Sequence, residues 1–343
     1  MQSVRMELSF VEVLMPIVRD LKEKKSSSTR QWSLSGTEPS LSGVLKNGYV
    51  AEEDGRPLTV AEWQEMWRAA AAGERPELGF RQRYMIENMR LAIAHLGEIE
   101  QILAGMLRDE DSLSRQIEAL VLANLPARAQ LPDTITLLLG TCSGGFVDEQ
   151  GRIVVDLAAV HMLAADPGAV LQFLAHETWH SGHWSLLADD PRMQEPWFMA
   201  FPQLQSEGMV NHLIGGTYKL MSIAAQTGQG ETQKRAQEFL HYADTLEACA
   251  ETRMSEYLEC LDALFSGDSG PYEAYVRTLP DAPGYLHGVL MAKAIADSFG
   301  RQALIETASD PVRFLLAAIE SFQRKGFTLC TPEQVLRFSA AVR

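Results

Sequence analysis

The segment DPGAVLQFLAHETWHSGHW, residues 166–184, constrains this chain more than any other. Asp166 and Pro167 form a cap and first-turn pair, because proline has no N–H to lose at the first helical position. Gly182 marks the expected C-terminal stop. Residues 168–175 are almost wholly apolar, so the helix they begin belongs in the interior. The next turn nevertheless carries His176, Glu177 and His180. Burying such groups without partners is costly, so the fold has to satisfy all three.

A metal ion does so. His176 and His180 stand four apart, which projects both imidazoles from one helix face about one turn apart. Two neutral imidazoles so placed both reach one Zn2+ at roughly 2.0–2.1 Å. Glu177 points about 100° round the helix, beside the metal, where a general base takes a proton from metal-bound water. The rival reading is a chance H-E-x-x-H whose three groups find ordinary core partners; the buried helical context favours the metal.

Two histidines leave zinc one protein ligand short. His183 lies three residues beyond His180, not the six of an H-E-x-x-H-x-x-G-x-x-H site, and is better placed as an outer or surface residue. Glu207, in FPQLQSEGMVNHLIGG and 27 residues after His180, is the stronger candidate. It sits on a second predicted helix with Asn211 four residues later on the same face. Two histidines and a glutamate leave the open coordination position of a catalytic zinc site. Manganese, cobalt and ferrous iron accept the same donor types, but the i, i+4 histidines with an intervening glutamate favour zinc.

The rest of the chain divides into three expected regions: a helical N-terminal region (1–130), a core (131–215) and a helical C-terminal region (216–343). Residues 1–25 have the pattern of an amphipathic helix, and Ser26–Gly43 has the Ser, Thr, Gly and Pro of a loop. TVAEWQEMWRAAAAG sets Trp63 and Trp67 on one helix face. The strong strand signals are ITLLLG (135–140) and RIVVDL (152–157), joined by TCSGGFVDEQG as a long hairpin loop. The predicted class is mainly α with a small antiparallel β-sheet, an α+β arrangement.

H-E-T-W-H followed by a helix bearing S-E-G-x-x-N resembles the gluzincin clan of metallopeptidases, and within it bacterial zinc-dependent peptidases of unassigned function. The two motifs span about 40 residues, and the strands before them fit the same order. The resemblance implies a zincin-like core with zinc held by His176, His180 and Glu207. It makes Asn211 an outer partner of a zinc histidine; relatives often carry Asp there, and Asn adds no charge to strengthen the ligand. It implies a downstream Tyr or His as donor to the transition-state oxyanion. Tyr285 and His287, in PDAPGYLHGVLMAKAIADSFG, and Tyr218, in GGTYKL, are the candidates. The edge of a sheet often holds extended substrate in that clan, which gives ITLLLG such a role, with an ordinary structural strand as its rival.

The expected activity is hydrolysis of peptide or amide bonds. The alternatives are a metal-dependent enzyme acting on a non-peptide small molecule, and a binding protein with a relict zinc site. Retention of Glu177 argues against the last, since a purely metal-holding role does not use that carboxylate. The net charge of −15 argues against nucleic acid and anionic membrane surfaces as main partners. His95, His161 and His212 default to structural roles. Four cysteines without a C-x-x-C pair make neither a disulfide framework nor a cysteine zinc site, and Cys142 has no activating partner. The apolar N-terminal stretch is broken by charges and no run reaches the ~18 residues of a span, so a cytoplasmic protein is expected.

Overall fold

A computed structural model describes residues 4–24, 32, 41–45, 56–74, 80–141, 143–148, 151–228, 230–279 and 283–341. Cys142 and most of the stretch expected as a loop after residue 25 lie outside them, while residues 41–45 are helical. The strands are β1 (Arg5–Glu7), β2 (Thr134–Leu138), β3 (Gly145–Val147) and β4 (Ile153–Asp156). The first helices are α1 (Ser9–Lys22), α2 (Val60–Ala72), α3 (Phe80–Ala94), α4 (Leu96–Arg108), α5 (Glu110–Leu122), α6 (Leu157–Leu163), α7 (Pro167–Leu187) and α8 (Ala200–Leu213). After them come α9 (Thr217–Thr227), α10 (Gly230–Ala248), α11 (Ala250–Phe265), α12 (Gly270–Val276), α13 (His287–Phe299), α14 (Arg301–Thr307), α15 (Pro311–Arg324) and α16 (Pro332–Ser339). The class is the expected one, mainly helical with one small sheet. Among the described residues no helix is long and apolar enough to cross a membrane.

The chain forms two compact units. The first comprises residues 1–119, 131–181 and 223–234, the second residues 120–130, 182–222 and 235–343.

In the first unit the sheet order is β1-β2-β4-β3. It is mixed rather than antiparallel: β1 and β4 both pair with β2 in parallel, and only β3 runs antiparallel, to β4. The hairpin expected between ITLLLG and RIVVDL is instead β3–β4. Its turn is closed by the Gly151 N–H donating to the Asp148 carbonyl at 2.9 Å. The link after ITLLLG is long enough to carry a strand of its own, which leaves β2 and β4 side by side in the same direction. β4 is buried throughout and β2 at all but its first residue, as internal parallel strands are. Among the described residues ITLLLG therefore has no free edge to offer a substrate, and β1 and β3 hold the two edges of the sheet.

The N-terminal segment opens as a strand, not a helix. Val4 and Met6 are buried while Arg5 is exposed, a period of two that suits β1 against β2. Helical spacing takes over only at Ser9. Trp63 and Trp67 do share one face of α2, both fully buried with ring centroids 6.1 Å apart. Asp156 ends β4 and caps α6: its carboxylate accepts from the Ala158 N–H at 2.8 Å and from the Thr141 N–H at 2.6 Å. Complete burial pushes that carboxyl up to about 6 against the pull of these donors.

Helix α7 starts where the sequence places it, with Asp166 Oδ1 accepting from the Ala169 N–H at 3.2 Å. It does not stop at Gly182. His183 and Leu187 are both fully buried, so the apolar face continues for another turn and overrides glycine's weak preference to end the helix.

In the second unit α8 packs against α13 and α15. The crossing of α8 and α13 is made at Gly208 and Gly288: a Cβ on Gly208 would run into the carbonyl group of Gly288. Backbone cannot give way as a flexible side chain can. Gly208→Ala is therefore expected to destabilise the protein by about 3 kcal/mol, the upper end of ordinary overpacking. The effect would appear as a lower urea midpoint at unchanged slope, and wild-type stability would show that the two helices do not approach so closely.

Candidate metal centre

The α7 motif lies in the first unit. His176, Glu177 and His180 are only 3%, 6% and 8% exposed. The imidazoles face each other, Nε2 to Nε2 at 3.1 Å, with the rings at 77°. A tetrahedral ion bound at roughly 2.0–2.1 Å sets neighbouring nitrogens ~3.3 Å apart, so the pair is already at the separation one shared cation requires.

Glu177 leaves the helix toward the sheet. A Cβ on Gly145, the first residue of β3, would lie 2.5 Å from the Glu177 carboxyl carbon and 2.8 Å from its Oε1. The absence of a side chain at Gly145 is what lets the carboxylate occupy its place. No local signal announces this glycine's role, because nothing nearby in the sequence ties residue 145 to residue 177.

In the second unit Glu207 rises from α8, and the 3-10 turn Pro283–Tyr285 lies against its stem. A Cβ on Gly284 would come within 2.5 Å of the Glu207 Cβ. The ligand nitrogens of His176 and His180 lie together in the first unit, and Glu207, the expected third ligand, belongs to the second. Two imidazoles and one carboxylate are a donor set that zinc accepts.

His183 is buried rather than on the surface. Its Nε2 is 2.8 Å from Gln205 Oε1, and the Gln205 amide donates in turn to the Thr307 carbonyl at 2.6 Å. Asn211 also differs from expectation. Its Nδ2 donates to the Glu207 carbonyl at 2.9 Å and its Oδ1 accepts from the Thr217 N–H at 3.3 Å. The short side chain folds back on the end of α8 instead of reaching a histidine.

The three candidate oxyanion donors part company. Tyr285 belongs to the turn beside Glu207 and packs on Phe239 at 6.5 Å between ring centroids. Tyr218 flanks Phe239 at 5.3 Å and is 40% exposed; burial of the rest, with Glu247 and Asp244 nearby, raises its phenol pKa and keeps it protonated. His287 is fully buried, stacked on Tyr257 at 4.7 Å, with its Nε2 3.0 Å from the Tyr275 hydroxyl.

That enclosure makes His287 a stability element. Desolvation first, and Arg253 second, push its imidazole from an ordinary 6.5 down to about 3. The unfolded chain takes up this proton near pH 6.5 and the folded chain does not, so acid favours unfolding throughout the interval down to about 3. Stability is expected to fall by about 2 kcal/mol between pH 6.5 and 5 from this group alone. Urea midpoints at both values would show it, and His287→Gln should flatten the slope; an unchanged slope in the variant would remove His287 as the cause.

A second group of possible ligands is brought together only by the fold. His95, Glu98 and His161 place ligand atoms within 4.8 Å of one another. The two histidines lie too far apart in sequence for any spacing rule to pair them. Cys249, Cys260 and Cys330 are free thiols.

Against known protein families, residues 55–321 match a family profile described as "Putative zinc dependent peptidase (DUF5700)". No match is found among curated proteins or solved structures.

Proposed function

The chain belongs to that family, and from this premise we propose that it is a zinc-dependent hydrolase of peptide or amide bonds with Glu177 as its general base. The observation that carries the reading is the pair of buried imidazoles of His176 and His180, Nε2 to Nε2 at 3.1 Å, with the buried Glu177 carboxylate on the same helix and Glu207 as the expected third ligand. Zinc held there would supply Lewis acidity and bring the pKa of a bound water to about 7.

The chain's own groups do the rest. Glu177 takes the proton of the attacking water on its carboxylate and passes it to the leaving amine nitrogen. Gly145 leaves the space in which that carboxylate sits, and β3 is an edge strand of its sheet, so an extended segment alongside β3 would run past Glu177. Tyr285 is the favoured oxyanion donor, because its turn lies against Glu207. His287 is the least favoured, because Tyr275 occupies its Nε2.

One observation supports the alternative of an amide-containing small molecule: the motif residues are each less than a tenth exposed, which suits a small substrate better than a long chain. A mixed-length peptide library, incubated with protein before and after chelation and zinc restoration, tests both. Cleavage that disappears on chelation and returns with zinc supports the peptidase reading. Cleavage restricted to di- and tripeptides moves the weight to small amides. No cleavage of any member by zinc-loaded protein would overturn the peptidase reading.

A further inference from the structure

We propose that His95, Glu98 and His161 form a second site for a divalent transition metal, which clips helix α4 to helix α6. His95 directly precedes α4, Glu98 lies in its first turn, and His161 projects from α6. Two ligands from one helix start and one from a neighbouring helix are the arrangement by which a metal cross-links helices. The side chains are already gathered. Glu98 lies between the two imidazoles, 3.1 Å from His95 Nδ1 and 2.9 Å from His161 Nε2. The rings are nearly parallel, with centroids 4.7 Å apart.

The donor set selects the ion. Two imidazoles with a single carboxylate suit zinc, copper or nickel, whereas calcium and magnesium demand mostly oxygen. His161 is the anchor: its side chain is 15% exposed, and its helix is fixed by the buried Val160 and Leu163. Glu98 and His95 are 63% and 44% exposed, which leaves one side open for water to complete the coordination.

The same features set its strength below that of the α7 group. His161 Nδ1 is buried with no hydrogen-bond partner among the described residues. A metal-bound histidine normally donates that proton to an acceptor, and lack of such a partner costs roughly 10–100-fold in affinity. The second site is thus expected to fill only after the first.

Equilibrium dialysis of the full chain against buffered Zn2+ tests this, with circular dichroism to check folding. The wild type should bind two zinc ions per chain in two separable steps. His95→Ala and Glu98→Gln, both at exposed positions, should lose the weaker step and keep the stronger; His176→Ala should do the reverse. Zinc should also raise the unfolding temperature of His176→Ala, and not that of His176→Ala combined with His95→Ala. Wild-type binding curves in both His95→Ala and Glu98→Gln would overturn the proposal. So would a single bound zinc that His176→Ala abolishes. A single zinc lost in His95→Ala and kept in His176→Ala would sustain this site and sink the catalytic reading, so the two fail separately.

Discussion

Glu177→Gln is expected to cut hydrolysis by about 10²–10⁴-fold while zinc stays bound. The two side chains have nearly the same shape, so the pocket beside Gly145 still accepts the group. What changes is chemistry: an amide neither takes up the proton of the attacking water nor returns it to the departing amine. A positioned general base is typically worth that factor, equivalent to about 3–5 kcal/mol of barrier. Because the interaction lost belongs to the transition state, kcat should fall with KM little changed. Zinc content of the same sample decides the interpretation. Glu177 is not among the three proposed ligands, so metal analysis should match the wild type. Activity within threefold of wild type would remove Glu177 from the mechanism, and loss of zinc together with activity would make it a ligand.

The division between what was and was not legible in the sequence follows range. The α7 group was legible because helical periodicity alone puts His176 and His180 on one face, and Asp166 and Pro167 mark the start of that helix by local chemistry. Trp63 and Trp67 were legible for the same reason. Where the outcome depended on a distant partner, local signals failed. Gly182 stops a helix only if nothing beyond it needs burying, and His183 and Leu187 did. The strand Arg5–Glu7 is too short to announce itself and exists because β2 lies ready to pair with it. The direction of β4 relative to β2 was set by β3, a three-residue strand inside what looked like a loop. His95 and His161 each read as structural when taken singly, since neither signals anything until α4 and α6 bring them to Glu98. Asn211 matched a motif by spacing, but its side chain found a nearer partner in its own helix end.

Glu207→Ala is expected to weaken the tight zinc step by more than 100-fold. Removal of a hydrogen-bond partner behind a ligand already costs roughly 10–100-fold, and here a ligand itself goes, with the one negative charge of the set. Two neutral imidazoles would be left to hold a doubly charged ion where His176 and His180 are almost wholly buried, and the cost of an uncompensated charge there is steep. Glu207→Gln should fall between, since it keeps an oxygen donor and loses the charge. The count must be made in a His95→Ala background. Otherwise zinc at His95, Glu98 and His161 would leave about one ion per chain in a variant whose catalytic group is empty, and Glu207 would be acquitted wrongly. In that background the wild-type α7 group should bind one zinc, and Glu207→Ala none at a free zinc concentration tenfold above the wild-type Kd. Undiminished binding would exclude Glu207 as the third ligand. His183 would not replace it without breaking its contact with Gln205, so His183→Ala in the same background would then have to lose the metal for that histidine to inherit the role.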